Sequence, residues 1–334
     1  MHNNILGDNT SKNPYYIFAP SYINTSAGIK ALHFLCHHLN LKGYPAFLVT
    51  AADYYYKINP DLITPIITQE VMKLHQENNK NPIAVYPDVV KGNPLNSKCT
   101  VRYLLHYAGF LGGDKEFAKE DLIFTYTKKI GQKMGIKNPQ IMFMPICDSD
   151  IFYPPANQAN RKGGCFYASK YRLLSGEEPF EITKNAVEIT RNLPNSQTTA
   201  EVADLLRRSE CFYSYEDTSL ITEAILCGCP VVLVKNKFFD GEPLAINELG
   251  SEGFSVDTDE KNIEQAHQSI ALAQKKFFDA IENFWPQLDN FITLTQELSL
   301  KTNSGEFDLR FIPTKKKRTP IGRIIKKKFK DLIG

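Results

Sequence analysis

No apolar run in this chain of 334 residues is long enough to cross a membrane; the cleanest stretches, such as residues 230–234, fall far short of the ~20 apolar residues a spanning helix needs. The polar residues 1–13 lack the basic and apolar blocks of a signal peptide. The expectation is therefore a cytoplasmic protein. Net charge is almost absent at +2, but nine Lys or Arg and one Asp crowd into residues 315–334, a local +8 that leaves −6 on the remainder. A mildly acidic body argues against broad nucleic-acid binding. A disulfide framework and a zinc ribbon are also missing: the seven cysteines are odd in number and follow neither spacing. Most sit in apolar runs, as small hydrophobes do, which suits reduced thiols in a reducing compartment. No short repeat is present. With 43% hydrophobic and 23% charged residues, the composition is that of an ordinary globular protein and excludes disorder for most of the chain.

What is present is alternation. Short apolar runs at 15–19, 46–49, 82–86, 122–126 and 141–144 read as strands, and an amphipathic pattern over 29–41 reads as a helix stopped by Gly43. The stretch 148–161, rich in Asp, Pro and Asn, reads as a linker. A second series follows, with strands at 165–168, 211–215 and 230–234. Helices are expected near 200–208, where Thr198 and Glu201 suit a capping box, at 220–226, and from 261 past Pro286. The expected fold class is α/β, two tandem Rossmann-like doubly wound domains facing a cleft. Residues 1–155 would form the first domain, 156–300 the second, and 301–334 a basic amphipathic tail.

Residues 214–234, SYEDTSLITEAILCGCPVVLV, carry the most information. A strand ends near Tyr215 and a helix begins near Thr218. Helix starts offer free N–H groups to phosphate, aided here by the hydroxyls of Thr218 and Ser219. Glu223, four residues after Ser219, shares its helix face, where a carboxylate can accept from both hydroxyls of a ribose. The string resembles the C-terminal domain of GT-B glycosyltransferases: Glu216, Thr218-Ser219, Glu223-Ala224, then Cys227-Gly228-Cys229-Pro230-Val231-Val232. The resemblance implies that Glu223 holds the donor ribose and that the helix start holds the diphosphate. Six residues separate Glu216 from Glu223 where the common retaining pattern has seven, which leaves inverting and retaining chemistry both open.

Other parts are similar more loosely. Ser26-Ala27-Gly28 is similar to the family's N-terminal glycine loop, and Gly28 would let substrate approach the backbone. Lys170 and Arg172 follow the first strand of the second series, where the family places cations for the leaving diphosphate. An inverting enzyme needs a general base from the N-terminal half. His106 and Asp88 are the candidates, with Glu216 a third catalytic candidate; each also fits a plain structural role. His33 and His37 lie four apart without a zincin glutamate and read as ordinary helix residues. Asp148-Ser149-Asp150 has the form of a metal-binding DxD but falls in the linker, so no metal and no other cofactor is expected beside a nucleotide-sugar co-substrate.

The tail alternates Ile321, Ile324, Ile325, Phe329, Leu332 and Ile333 with basic residues, the pattern of an interfacial helix. Lys315–Lys330 would then meet an anionic membrane surface. Together these readings imply a glycosyltransferase peripheral on the inner face of the cell membrane. It would move sugar from a nucleotide sugar to a lipid-linked oligosaccharide acceptor in lipopolysaccharide or capsule synthesis, with no nucleic-acid partner. A GT-B-fold sugar-nucleotide epimerase and a non-catalytic membrane or nucleic-acid adaptor are the alternatives.

Overall fold

The computed structural model describes residues 12–50, 56–156, 161–191, 193–302, 305, 307, 308 and 312. The basic segment 315–330 and its expected membrane helix lie outside the described residues.

The first half is built from β1 (Tyr15–Phe18), α1 (Ala27–Leu41), β2 (Ala46–Val49), α2 (Gln69–Glu77), β3 (Ile83–Pro87), β4 (Cys99–Leu104), β5 (Leu122–Thr125), α3 (Lys128–Lys133) and β6 (Gln140–Ile141). All six strands run parallel in the order β2-β1-β3-β4-β5-β6. β2, β3 and β4 are buried along their whole length, as a parallel sheet covered on both faces requires. Side chains alternate between the faces. Tyr15, Ile17, Val85, Val101 and Tyr103 pack with Leu32, Leu35 and Leu39 of α1. Tyr16, Phe47, Ala84 and Tyr86 pack on the other face with Met72 of α2. Each helix start is capped: the side chains of Ser26, Thr68 and Thr127 accept N–H groups at α1, α2 and α3.

The second half comprises β7 (Gly164–Tyr167), α4 (Ser169–Ser175), β8 (Val187–Glu188), α5 (Thr199–Arg208), β9 (Cys211–Ser214), α6 (Leu220–Leu226), β10 (Val231–Leu233), α7 (Ile246–Leu249), β11 (Phe254–Ser255) and α8 (Glu260–Lys301). Its five strands are parallel in the order β11-β10-β9-β7-β8. The capping box of α5 is formed, Thr198 and Glu201 bonding reciprocally. Cys227 and Cys229 are fully buried beside this sheet, where their thiols donate to the carbonyls of Ala203 and Ser209.

The 42-residue helix α8 joins the two halves. Its Ile270, Ala273 and Phe277 belong to the second core, and its Phe284, Leu288, Phe291 and Ile292 to the first. The chain thus returns to the first sheet near Phe284, short of the division at 300 expected from sequence. Pro286, which supplies no N–H, stands within this transition.

Both sheets have a point where strand order reverses, between β1 and β3 in the first and between β7 and β9 in the second. Loops leaving the carboxyl ends of such strands diverge and open a crevice.

Candidate active site

The two crevices share one cavity of about 600 Å³. From the first sheet it is lined by Gly28 after β1, Asp88 after β3 and His106 after β4; from the second by Tyr167 at the end of β7, Lys170 beyond it, Arg191 after β8, and Glu216 to Ser219 after β9. Apolar side chains, among them Ile146, Ile221, Ile246 and Phe277, make up another part of its wall. Contacts bridge the halves around it. The side-chain amide of Asn24 donates to Thr199 Oγ1 at 3.3 Å, Lys128 N–H donates to Glu248 Oε1 at 2.8 Å, and Lys129 Nζ lies 2.7 Å from Glu242 Oε2.

Asp88 extends β3 into the cavity. Its Oδ1 accepts the backbone N–H groups of Leu105 at 3.0 Å and His106 at 3.3 Å. Among the described residues, Oδ2 accepts no hydrogen bond from another residue. Burial raises its pKa above the ordinary carboxylate value, opposed by those N–H groups. Gly113 lies against it: a Cβ there would stand 1.9 Å from the Asp88 carbonyl oxygen, and φ is +77°. A carboxylate fixed through one oxygen, with its proton affinity raised, has the chemistry of a general base.

His106 differs from its expected role as a base. The N–H of Tyr107 donates to Nδ1 at 2.8 Å, so the neutral ring carries its proton on Nε2. Burial, with the charge of Lys170 adding to it, lowers its pKa to about 4. The ring stacks on Phe110 at 4.3 Å. At neutral pH it is a donor through Nε2.

Glu216 is occupied by the backbone. Its Oε2 accepts the N–H groups of Lys170 at 2.5 Å and Tyr171 at 3.2 Å, which ties the end of β9 to the start of α4. Among the described residues its Oε1 is buried without a hydrogen bond, 4.0 Å from Lys170 Nζ. Burial raises its pKa, opposed first by Lys170. Lys170 is half-exposed and donates to the Asp217 carbonyl at 3.1 Å.

Glu223 lies behind the cavity wall. Ser219 Oγ donates to its Oε1 at 3.1 Å, and Arg191 Nη2 donates to its Oε2 at 2.5 Å. Thr218 Oγ1 accepts the N–H of Leu220 at 3.4 Å. The hydroxyls expected to meet phosphate are thus engaged within the chain, and α6 begins at Leu220 with only seven residues.

Two expectations need further correction. Arg172 is outside the cavity: it pairs with Glu178 and, at 2.8 Å, with Glu188 in a separate depression of about 330 Å³. α4 turns its side chain toward β8, away from the cleft. Gly28 does line the cavity, but a Cβ there would meet Leu105 at an ordinary 3.6 Å, so the fold itself does not require glycine. Asp148 accepts the Asp150 N–H at 3.0 Å in an exposed turn outside the cavity. His33 and His37 bond separate partners, Pro20 O at 3.0 Å and Ile63 N–H at 2.9 Å. Among the described residues no group of three or more His, Cys, Asp or Glu is placed to hold a metal ion.

Arg191 is the residue sequence reasoning missed. No local signal points to it: β8, the strand it follows, has only two residues, and its carboxylate partner Glu223 is 32 residues away.

No family model matches this chain, and no curated protein matches it. Several solved structures are similar in chain arrangement. A glycosyltransferase involved in avilamycin A biosynthesis, AviGT4, is 12% identical, covering 86% of this chain and 98% of that one at a TM-score of 0.47. The glycosyltransferase SnogD from Streptomyces nogalater is 10% identical, covering 85% and 99% at 0.44. The kitacinnamycin glycotransferase is 10% identical, covering 86% and 99% at 0.43. Likenesses of this size carry neither activity nor substrate across. Among the described residues no helix is long and apolar enough to cross a membrane.

Proposed function

We propose that this chain is a GT-B glycosyltransferase that moves a sugar from a nucleotide-sugar donor to an acceptor hydroxyl. One observation carries the reading: a single cavity at the carboxyl ends of two parallel sheets, with a buried carboxylate from the first facing a cation and a carboxylate cluster from the second. The order of Glu216, Thr218-Ser219, Glu223-Ala224 and the Cys-Gly-Cys-Pro-Val-Val turn supports it.

The second sheet is the donor side, with Glu223 toward ribose and Lys170, Thr218 and Ser219 toward the diphosphate. Asp88 takes the proton of the acceptor hydroxyl as it attacks the sugar carbon. The Lys170 ammonium offsets the charge that collects on the departing nucleoside diphosphate. The His106 Nε2–H donates to an anionic oxygen on the same side, and the apolar wall keeps water from the sugar carbon. This is inverting chemistry, and it assigns no step to a metal or other cofactor. The acceptor we favour is a lipid-linked oligosaccharide of lipopolysaccharide or capsule synthesis, with Lys315–Lys330 on the inner face of the membrane; the amphipathic tail sequence is the support for both.

A panel of nucleotides and nucleotide sugars scored by thermal shift, with and without EDTA, is the test. A ligand that binds only the folded state raises the melting temperature. A metal-independent rise with one nucleotide series supports the donor site. A rise abolished by EDTA replaces it with a metal-dependent one, and no rise with any nucleotide refutes it. Consumption of donor without an acceptor product points to an epimerase.

A further inference from the structure

We propose that Arg191 makes donor binding depend on the diphosphate, by passing from Glu223 to the phosphates as ribose takes its place; this rests on Glu223 being the ribose acceptor. The Arg191 side chain is only 9% exposed and that of Glu223 4%. Both oxygens of the carboxylate are already in use, Oε2 by Arg191 Nη2 at 2.5 Å and Oε1 by the Ser219 hydroxyl at 3.1 Å. The other arm of the guanidinium donates weakly, to Ser219 Oγ at 3.3 Å and across the cleft to the Thr25 carbonyl at 3.5 Å. Glu223 is itself off the cavity lining, whereas Arg191 and Ser219 are on it, so a ribose diol reaches the carboxylate only as those two side chains give way.

The exchange separates two classes of ligand. A neutral nucleoside that displaces Arg191 leaves a buried guanidinium without its counter-charge, and breaking a buried pair in this way is strongly unfavourable. A nucleoside diphosphate brings a replacement anion, and a planar guanidinium suits phosphate oxygens in pairs. Arg191 lines the cavity and reaches it without leaving its strand end. Lys30 of α1, also buried, interacts electrostatically with both Glu223 and Arg191, with the exposed Asp148 a weaker influence.

Calorimetric titration of the full chain compares nucleoside with nucleoside diphosphate, using the base that the thermal-shift panel identifies. Wild type is expected to bind the diphosphate about 100-fold or more tighter than the nucleoside. Arg191→Met should narrow that gap about tenfold or more, leaving nucleoside binding unchanged or tighter because Glu223 is released, and Arg191→Lys should restore part of it. If Arg191→Met does not fold, Arg191→Met with Glu223→Gln removes both charges and should narrow the gap in the same way. A gap unchanged from wild type, or equal weakening of both ligands, overturns the role of Arg191 while leaving the donor site standing. Wild type that binds no nucleotide removes the donor reading and this inference together.

Discussion

Phe291 tests whether α8 ties the two halves together. It is fully buried, belongs to the core of the first sheet, and stacks on Tyr15 at 5.9 Å and edge-on against Phe124 at 4.8 Å. Those rings come from β1 and β5, so three distant segments meet at one side chain. Phe291→Ala deletes the ring and leaves a cavity that rigid strands cannot close, which costs about 3–5 kcal/mol. The two ring pairs account for about 0.5–1.5 kcal/mol each of that loss. Against a total stability of about 5–15 kcal/mol, this is a large fraction. Leu300, on the same helix but 73% exposed, provides the control; Leu300→Ala should stay within about 0.5 kcal/mol. With two cores, unfolding need not be a single step, so urea denaturation is paired with amide hydrogen exchange. Exchange should quicken in β1 and β5 before it does in β9 and β10. A loss below about 1 kcal/mol, or loosening confined to the second sheet, refutes the placement of the second half of α8.

Three further outcomes follow from buried charge. Arg102, whose side chain is 4% exposed, donates to Asp121 at 2.7 Å and to the Gly92 carbonyl at 2.8 Å, bracing the turn behind Asp88; Asp121→Ala strands its charge and should cost about 3–5 kcal/mol in urea denaturation, and a loss under about 1 kcal/mol counts against the buried pair. Asp88→Asn should lower kcat by about 10²–10⁴ with KM little changed. Because burial raises the Asp88 pKa and only the ionised form accepts a proton, activity should rise with pH above the ordinary carboxylate range; an unchanged kcat in Asp88→Asn dismisses it as the base. Burial lowers His38, His75 and His106 to about 4. The unfolded chain takes up these protons near 6.5 and the folded chain does not, so their contribution to stability is intact above about 6.5 and falls as pH drops toward about 4. Imidazole resonances followed by NMR should titrate near 4, and titration near 6.5 contradicts their burial.

The strands that sequence made legible are those whose residues are uniformly apolar. β2 and α6 fall on their expected residues, and β1, β5, β7, β9 and β10 within one or two positions. β4 was hidden because Arg102 sits at its centre, and a charge in a short run reads as a loop. Its partner, Asp121, is 19 residues away and no local pattern joins the two. The two-residue strands β8 and β11 are shorter than any periodicity can register, and tertiary pairing alone defines them.

The site was half legible for a related reason. Position along a strand is local information, and so Asp88, His106, Lys170 and Glu216 all arrive at the cavity. What a side chain does there depends on which of its atoms the surrounding backbone has already taken. Tyr107 N–H takes His106 Nδ1, the next residue in the chain, yet only the ring's observed orientation shows it. Lys170 and Tyr171, 46 and 45 residues before it, take one oxygen of Glu216, which turns an expected catalytic group into a clamp with one oxygen in reserve. Arg172, two positions from Lys170, is carried by the first turn of α4 to Glu178 and Glu188 and lost to the cleft. The buried cation–carboxylate pair beside the cavity, Arg191 with Glu223, joins residues 32 apart, one in the loop after β8 and the other within α6. Motif spacing located the carboxylate, and only the folded chain shows that Arg191 and Ser219 already hold it.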